Sequence, residues 1–205
     1  MKKPTLLVIG LATLLASATQ ASQEQLAKSI KETHLETDRT SVQLKATLSA
    51  LNALTQQTKG DLRPAYNTYC SEVTKTESAA LWTQTRVQWM GNDGRRYFTD
   101  WQKTVSSIAN ESLRKKAQKR LDAVQASYGK VEASLQKASD KFKPFLSDLG
   151  DIQKALATDV TAGGVKAIRS TVKSANWNHQ SVNQAINSAL KEMGNMEKSL
   201  SSEAK

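Results

Sequence analysis

The stretch Leu113–Leu135, LRKKAQKRLDAVQASYGKVEASL, decides the fold. Its apolar side chains fall at Ala117, Leu121, Val124, Tyr128, Val131 and Leu135, and the series continues through Ala138, Phe142 and Phe145. The steps alternate between four and three. A strand would alternate every second residue, whereas this rhythm lays the apolar residues along one stripe of a helix, a heptad seam that needs a partner helix to cover it. The same stretch opens on five cations, Arg114, Lys115, Lys116, Lys119 and Arg120. Four of them fall on the flanks and outer face of the seam, and Arg114 falls near the helix start at a seam position. The segment therefore predicts a long helix with a dry line on one side and a basic face on the other.

Outward from it the pattern repeats. Asn110 is a suitable N-cap, Pro144 should kink or interrupt the helix, and Leu149, Ile152 and Leu156 continue it. Beyond Gly163-Gly164, which should separate two helices, Val165, Ile168, Val172, Ala175, His179, Val182, Ile186, Ala189, Met193, Met196 and Leu200 again step by three and four. Upstream, Tyr66, Cys70, Val73, Ala80, Val87, Phe98, Trp101, Val105 and Ile108 share one register, with Glu77 and Gln84 also on it. Gly91–Gly94, GNDG, predicts a kink or short break, since each glycine costs up to about 1 kcal/mol against alanine. The first helix, about Gln23 to Thr58, gathers Ile30, Leu44, Leu48, Leu51 and Leu54, while its polar N-terminal half is expected to fray. Lys59–Pro64, KGDLRP, is the turn after it. Short connections make neighbours antiparallel. The expected fold is all-α, an elongated antiparallel four-helix bundle or a pair of coiled-coil hairpins.

The N-terminus, MKKPTLLVIGLATLLASATQAS, has a basic start at Lys2 and Lys3, then a short apolar run from Leu6 to Ala16. Ala16-Ser17-Ala18 and Thr19-Gln20-Ala21 offer small residues for cleavage. The expectation is a signal peptide over residues 1–21 and a helical domain over 22–205, exported to the periplasm or secreted. The formal charge is +10, and the loss of Lys2 and Lys3 leaves +8. Cys70 is the single cysteine, so no intramolecular disulfide can form, and it is expected to be a small buried apolar residue.

The five cations are the candidate site. Nucleic acid is not an expected partner, because export separates the two and no aromatic residue lies between Arg114 and Arg120. A protein or an anionic envelope component fits better, and electrostatic attraction to anionic lipid or polymer would be weak and salt-sensitive. Slender hairpins leave apolar surface to cover, which suggests a homo-oligomer. Catalytic signals are missing: no Walker loop, G-x-G-x-x-G, G-x-S-x-G, H-E-x-x-H or C-x-x-C occurs. No Glu-x-x-His pair supports a di-iron bundle, and His34 and His179, both on seam positions, are offset by about 15 Å in an antiparallel pairing, too far for one metal ion. No cofactor or metal is expected. Trp101 is a core residue on this reading; Trp82, Trp89 and Trp177 lie off the seams and mark the ends of a thin core or a partner surface. Glu77 and Gln84, both on a seam, would face a partly open bundle interior rather than a polar channel, and an enzyme or ligand carrier with a cavity beside Glu77, Gln84 and Cys70 is the weakest of the functional readings.

The order of YFTDWQ at Tyr97–Gln102, NESLRKKAQKRLDAVQASY at Asn110–Tyr128, Pro144-Phe145-Leu146 and AIRS at Ala167–Ser170 resembles the bacterial family of exported helical proteins known as domain of unknown function 2959, over residues 40–200. The resemblance implies an all-helical fold and brings no catalytic residues. Members often look lipid-anchored through a cysteine after the signal peptide, and this chain has none there. Composition, seams and resemblance together point to a non-enzymatic exported scaffold or interaction protein presenting long basic helices, with a peripheral membrane-active or anionic-polymer-binding module as the alternative.

Overall fold

The computed structural model describes residues 6–57 and 59–203, with side chains from 17 to 201 apart from 58. Lys2 and Lys3 of the predicted leader lie outside the described residues. Five helices follow in order: α1 Leu6–Gln56, α2 Arg63–Ser106, α3 Glu111–Thr158, α4 Ala162–Ala167 and α5 Arg169–Glu203. There is no strand among the described residues. The chain is all-α and its helices pack as a bundle. α1 runs without interruption across the predicted boundary at residue 21.

The ends are set by short polar side chains. The Arg63 amide donates to the Asp61 carboxylate at 3.0 Å, which starts α2. The Leu113 amide donates to the Asn110 side chain at 3.1 Å, the N-cap expected for α3. The Thr161 hydroxyl accepts from the Gly163 and Gly164 amides and caps α4. The predicted separator Gly163-Gly164 thus lies inside a short helix, and the chain breaks just before it. α4 is the first turn and a half of the last helix, divided from α5 by Ile168 alone (φ −89°, ψ 0°). At the two other positions where a kink or a break is expected, the helix is not broken. α3 continues through Pro144, and α2 continues through Gly91–Gly94.

The helices contribute to two compact units. The first takes the chain up to Thr33, Arg86–Glu132, and the chain from Glu192 on. Within it α1 and α2 run antiparallel: Thr19 meets Thr104 at 2.8 Å, and Thr33 lies 3.3 Å from the Arg86 carbonyl. Leu26, Ile30, Met90, Leu121, Val124, Val131, Met193, Met196 and Leu200 are buried. An aromatic chain threads this core, Trp101–Tyr97–Phe98–Tyr128, with ring centroids 5.1–5.4 Å apart. The buried Tyr128 hydroxyl donates to the Met90 carbonyl at 2.9 Å. Gly94 explains how: a Cβ there would lie 2.5 Å from the Tyr128 hydroxyl oxygen. The glycine that reads as a helix breaker is instead the gap through which a tyrosine reaches the neighbouring helix.

The second unit comprises His34–Thr85 and Ala133–Lys191. Its core holds Leu44, Leu51, Leu54, Tyr69, Phe145, Leu149, Ile152, Leu156, Val182 and Ile186. Tyr69 and Tyr66 of α2 donate to the Leu149 and Gln153 carbonyls of α3 at 2.7 and 3.0 Å. Burial raises the Tyr66 phenol to about 12, with a smaller contribution from its hydrogen bond to Cys70. Cys70 is half-buried and packs on this core. The seam of α2 keeps Val73, Phe98 and Val105 of the expected register and departs from it in between. Tyr69, Val73 and Thr76 are buried, while Glu77 and Gln84 face solvent. Glu77 and Gln84 thus do not face the partly open bundle interior expected of them.

α1 holds the larger surprise. Ser22, Ser29, Thr33, Thr37, Thr40, Ser41 and Thr47 are buried, so the half expected to fray is packed through small hydroxyl residues. Their oxygens are satisfied locally and across the interface. Thr47 bonds the Gln43 and Glu72 carbonyls and meets Thr76 at 2.7 Å, and Thr40 meets Thr83 at 2.9 Å. Among the described residues no buried side-chain nitrogen or oxygen lacks a partner. Threonine is short and stiff, so two helices can approach closely, and Thr33, Thr40 and Thr47 each reach a carbonyl in the process.

Candidate functional site

The five cations sit at the start of α3, in the first unit. Arg114, Lys115, Lys116, Lys119 and Arg120 are all exposed. Asn110 caps the helix and fixes its first turn. Leu121, Val124 and Tyr128 then bury the opposite face and turn the basic one outward. The Arg114 guanidinium donates back to the Ile108 carbonyl at 3.1 Å, and Lys115 pairs with Glu111 at 2.8 Å. An exposed pair of this type contributes little, on the order of 0.3–0.5 kcal/mol. From Leu113 to Leu121 the sequence contains no acidic residue. Leu113 is a large apolar side chain exposed beside the run.

A second feature had no counterpart in the sequence reading. In the same unit, Gln25, Ser29 and Glu32 of α1 and Arg86, Trp89, Asn92 and Asp93 of α2 line a cleft of 230 Å³. The residues recur at helical spacing on each strand of the helix pair, so one face of each helix supplies one wall. The Arg86 guanidinium donates to Glu32 at 2.6 Å and lies 4.9 Å from the Trp89 ring centroid. The Asp93 carboxylate accepts from the Gln25 amide at 3.3 Å and from the Ser29 hydroxyl. Arg95, one turn along, donates to Asn92. Trp89 alone of these stood out in the sequence, as an off-seam tryptophan. The walls come from segments about 60 residues apart, and only the antiparallel pairing of α1 with α2 brings them together.

The remaining candidates resolve separately. Trp101 is half-buried against Tyr97, whereas Trp82, Trp89 and Trp177 are 59, 47 and 70 % exposed. In the second unit His179 stacks near Phe145, at 5.9 Å between centroids, and lines an open groove with Lys45, Leu48 and Asn52. Burial, and to a lesser degree the Lys45 charge, lowers the His179 pKa. His34 does not line that groove. Among the described residues no three His, Cys, Asp or Glu side chains gather as metal ligands. No described helix is long and apolar enough to cross a membrane.

Comparison with curated proteins and with solved structures finds no match for this chain. Residues 16–200 match the family described as protein of unknown function (DUF2959). The match takes in the hydroxyl-lined half of α1, well ahead of residue 40, where the resemblance noted from the motifs begins. Covering nearly all of the bundle, it establishes that the chain belongs to the DUF2959 family.

Proposed function

We propose that this protein is a non-enzymatic, exported envelope protein that uses the basic start of α3 to hold an anionic partner, either an acidic protein face or a polymer or lipid of the envelope. The observation that carries the reading is the run Arg114–Arg120, five exposed cations with no carboxylate between them. Such a run raises the local concentration of anions through its summed field rather than through shaped contacts. The attraction is screened over about 8–10 Å at physiological salt. The export reading rests on Lys2, Lys3 and the apolar run from Leu6 to Ala16 ahead of two small-residue cleavage sites.

The test is sedimentation of the mature protein with envelope fractions and with anionic vesicles across a salt series. Retention at low salt, release as salt rises, and loss of retention in Lys115→Glu/Lys116→Glu/Lys119→Glu are the expected results. Failure of wild-type protein to bind any envelope fraction at low salt would overturn the proposal. Peripheral membrane contact is the second reading, and it draws on Leu113, exposed beside the cations. Binding to vesicles that survives high salt and is lost in Leu113→Ser would favour it.

A further inference from the structure

We infer that the α1–α2 cleft of the first unit is a binding site for a neutral, hydroxyl-rich ring, the chemistry of a single pyranose unit of a glycan. The inference goes beyond the basic face of α3 and does not depend on it.

The argument begins with charge. Arg86 is the cation of the cleft, and its guanidinium is already engaged by Glu32 at 2.6 Å. Asp93 stands on the same wall, so an anionic ligand would meet a neutralised arginine and a second carboxylate. A cationic ligand fares no better. Its natural seat is an aromatic face, yet the guanidinium of Arg86 lies over the Trp89 ring at 4.9 Å and would repel a second cation. Two carboxylates face one guanidinium, but Arg86 holds Glu32 while the Gln25 amide and the Ser29 hydroxyl hold Asp93, so neither carboxylate is left bare for a cation.

What they leave is an array of planar hydrogen-bonding groups around an indole that keeps 47 % of its surface exposed. Gln25 and Asn92 offer an amide donor and a carbonyl acceptor each, and Glu32 and Asp93 offer acceptor oxygens. Hydroxyl groups on neighbouring ring carbons donate and accept together, which amides and carboxylates match in pairs. The C–H face of a pyranose is apolar and slightly positive, and it stacks on the part of the negative indole surface that Arg86 leaves uncovered. A purely apolar ligand would strand these polar groups without water. Size sets the last limit. The cleft's 230 Å³ is below the range of roughly 300–1,000 Å³ typical of drug-sized ligand sites, so one ring fits and a longer glycan would have to extend out of it.

Trp89 also supplies the probe. The chain has four tryptophans, and each gives one indole N–H resonance in a 15N-labelled sample of the full chain. Trp89→Phe assigns its own signal. Methyl β-glucopyranoside and N,N′-diacetylchitobiose are titrated as neutral sugars, with tetramethylammonium chloride and inorganic phosphate as ionic probes. The expected result is a saturable shift of the Trp89 signal with at least one sugar, no movement of the Trp82 and Trp177 signals, and affinity at least tenfold weaker in Asp93→Ala. Circular dichroism checks the fold of that variant. Should it fail to fold, Gln25→Ala, at an exposed position, takes its place with the same tenfold criterion. Absence of a saturable shift with both sugars overturns the inference. So does a response confined to tetramethylammonium or phosphate, or undiminished sugar affinity in the folded variant.

Discussion

At the scale of single residues, two helical glycines that look alike in the sequence have opposite roles. Gly94 makes room for Tyr128, whereas a Cβ at Gly129 would meet nothing within 4 Å. Gly94→Ala should force the buried Tyr128 ring off its place and loosen its bond to Met90, a destabilisation of about 1–3 kcal/mol. Gly129→Ala should stabilise by about 0.5–1 kcal/mol, since alanine restricts the unfolded chain and favours helix. Urea denaturation of both variants checks the pair, and equal effects would contradict the geometry. His179 carries a pH signature. Its folded-state pKa lies below the unfolded value, so the unfolded chain takes up the proton first. Stability from this residue is full above pH ~6.5 and is lost as pH falls through the lower folded pKa. His179→Gln should flatten that part of the acid-side slope, which thermal melts between pH 7 and 5 would read as a smaller fall in Tm than wild type.

At the scale of helices, α3 and α5 were readable because their seams are built from large apolar side chains. Leu121, Val124, Tyr128, Val131, Val182, Ile186, Met193 and Leu200 are all buried where the three-four rhythm puts them. α1 was not readable in its first half, because the seam there is Ser22, Ser29, Thr33 and Thr37, which a hydropathy pattern counts as polar. Burial of a threonine is decided by whether its hydroxyl finds a carbonyl, and that depends on the neighbouring helix. In α2 the expected register holds at Val73, Phe98 and Val105 and departs by one position around Thr76. Glu77 was placed where Thr76 stands, since the half-buried Tyr66 and Cys70 mimic a seam that Tyr69, Val73 and Thr76 form. The cleft at Trp89 was beyond the sequence for a related reason: its walls meet only through pairing at long range. Thr47 and Thr76 test the hydroxyl packing. Thr47→Val alone should cost about 1–3 kcal/mol, because the Thr76 hydroxyl loses its partner at 2.7 Å. Thr47→Val/Thr76→Val should cost less than the two single changes added together, and a double-mutant cycle in urea measures the difference.

At the scale of the whole molecule, the surface charge and the core are separable. Of the α3 cations, Arg114 bonds the Ile108 carbonyl and Lys115 makes an exposed ion pair with Glu111. The triple glutamate variant used above should therefore unfold within about 0.5 kcal/mol of wild type while losing its anionic partner, so a binding defect in it is not a folding defect. The proposed export also makes a prediction at this scale. Cleavage after Ala18 would keep Thr19 and its bond to Thr104, and cleavage after Ala21 would remove it. N-terminal sequencing of exported protein distinguishes the two, and the shorter product should melt lower.

The threonines of the second unit carry one more implication. Thr40 and Thr47 are seven apart, as are Thr76 and Thr83. A slide of one heptad, about 10 Å, would set Thr40 against Thr76 and rebuild an equivalent contact. Nothing in those side chains distinguishes the correct alignment from its neighbour. That choice falls to the connection, only residues 57–62 long, where Gly60 sits at φ 84° and Asp61 fixes the next helix start. So short a hinge cannot absorb the displacement unless α1 unwinds its last turn and exposes Leu54. The corner works as an index pin, alongside the Glu32–Arg86 and Gln25–Asp93 contacts that the same two helices make further along.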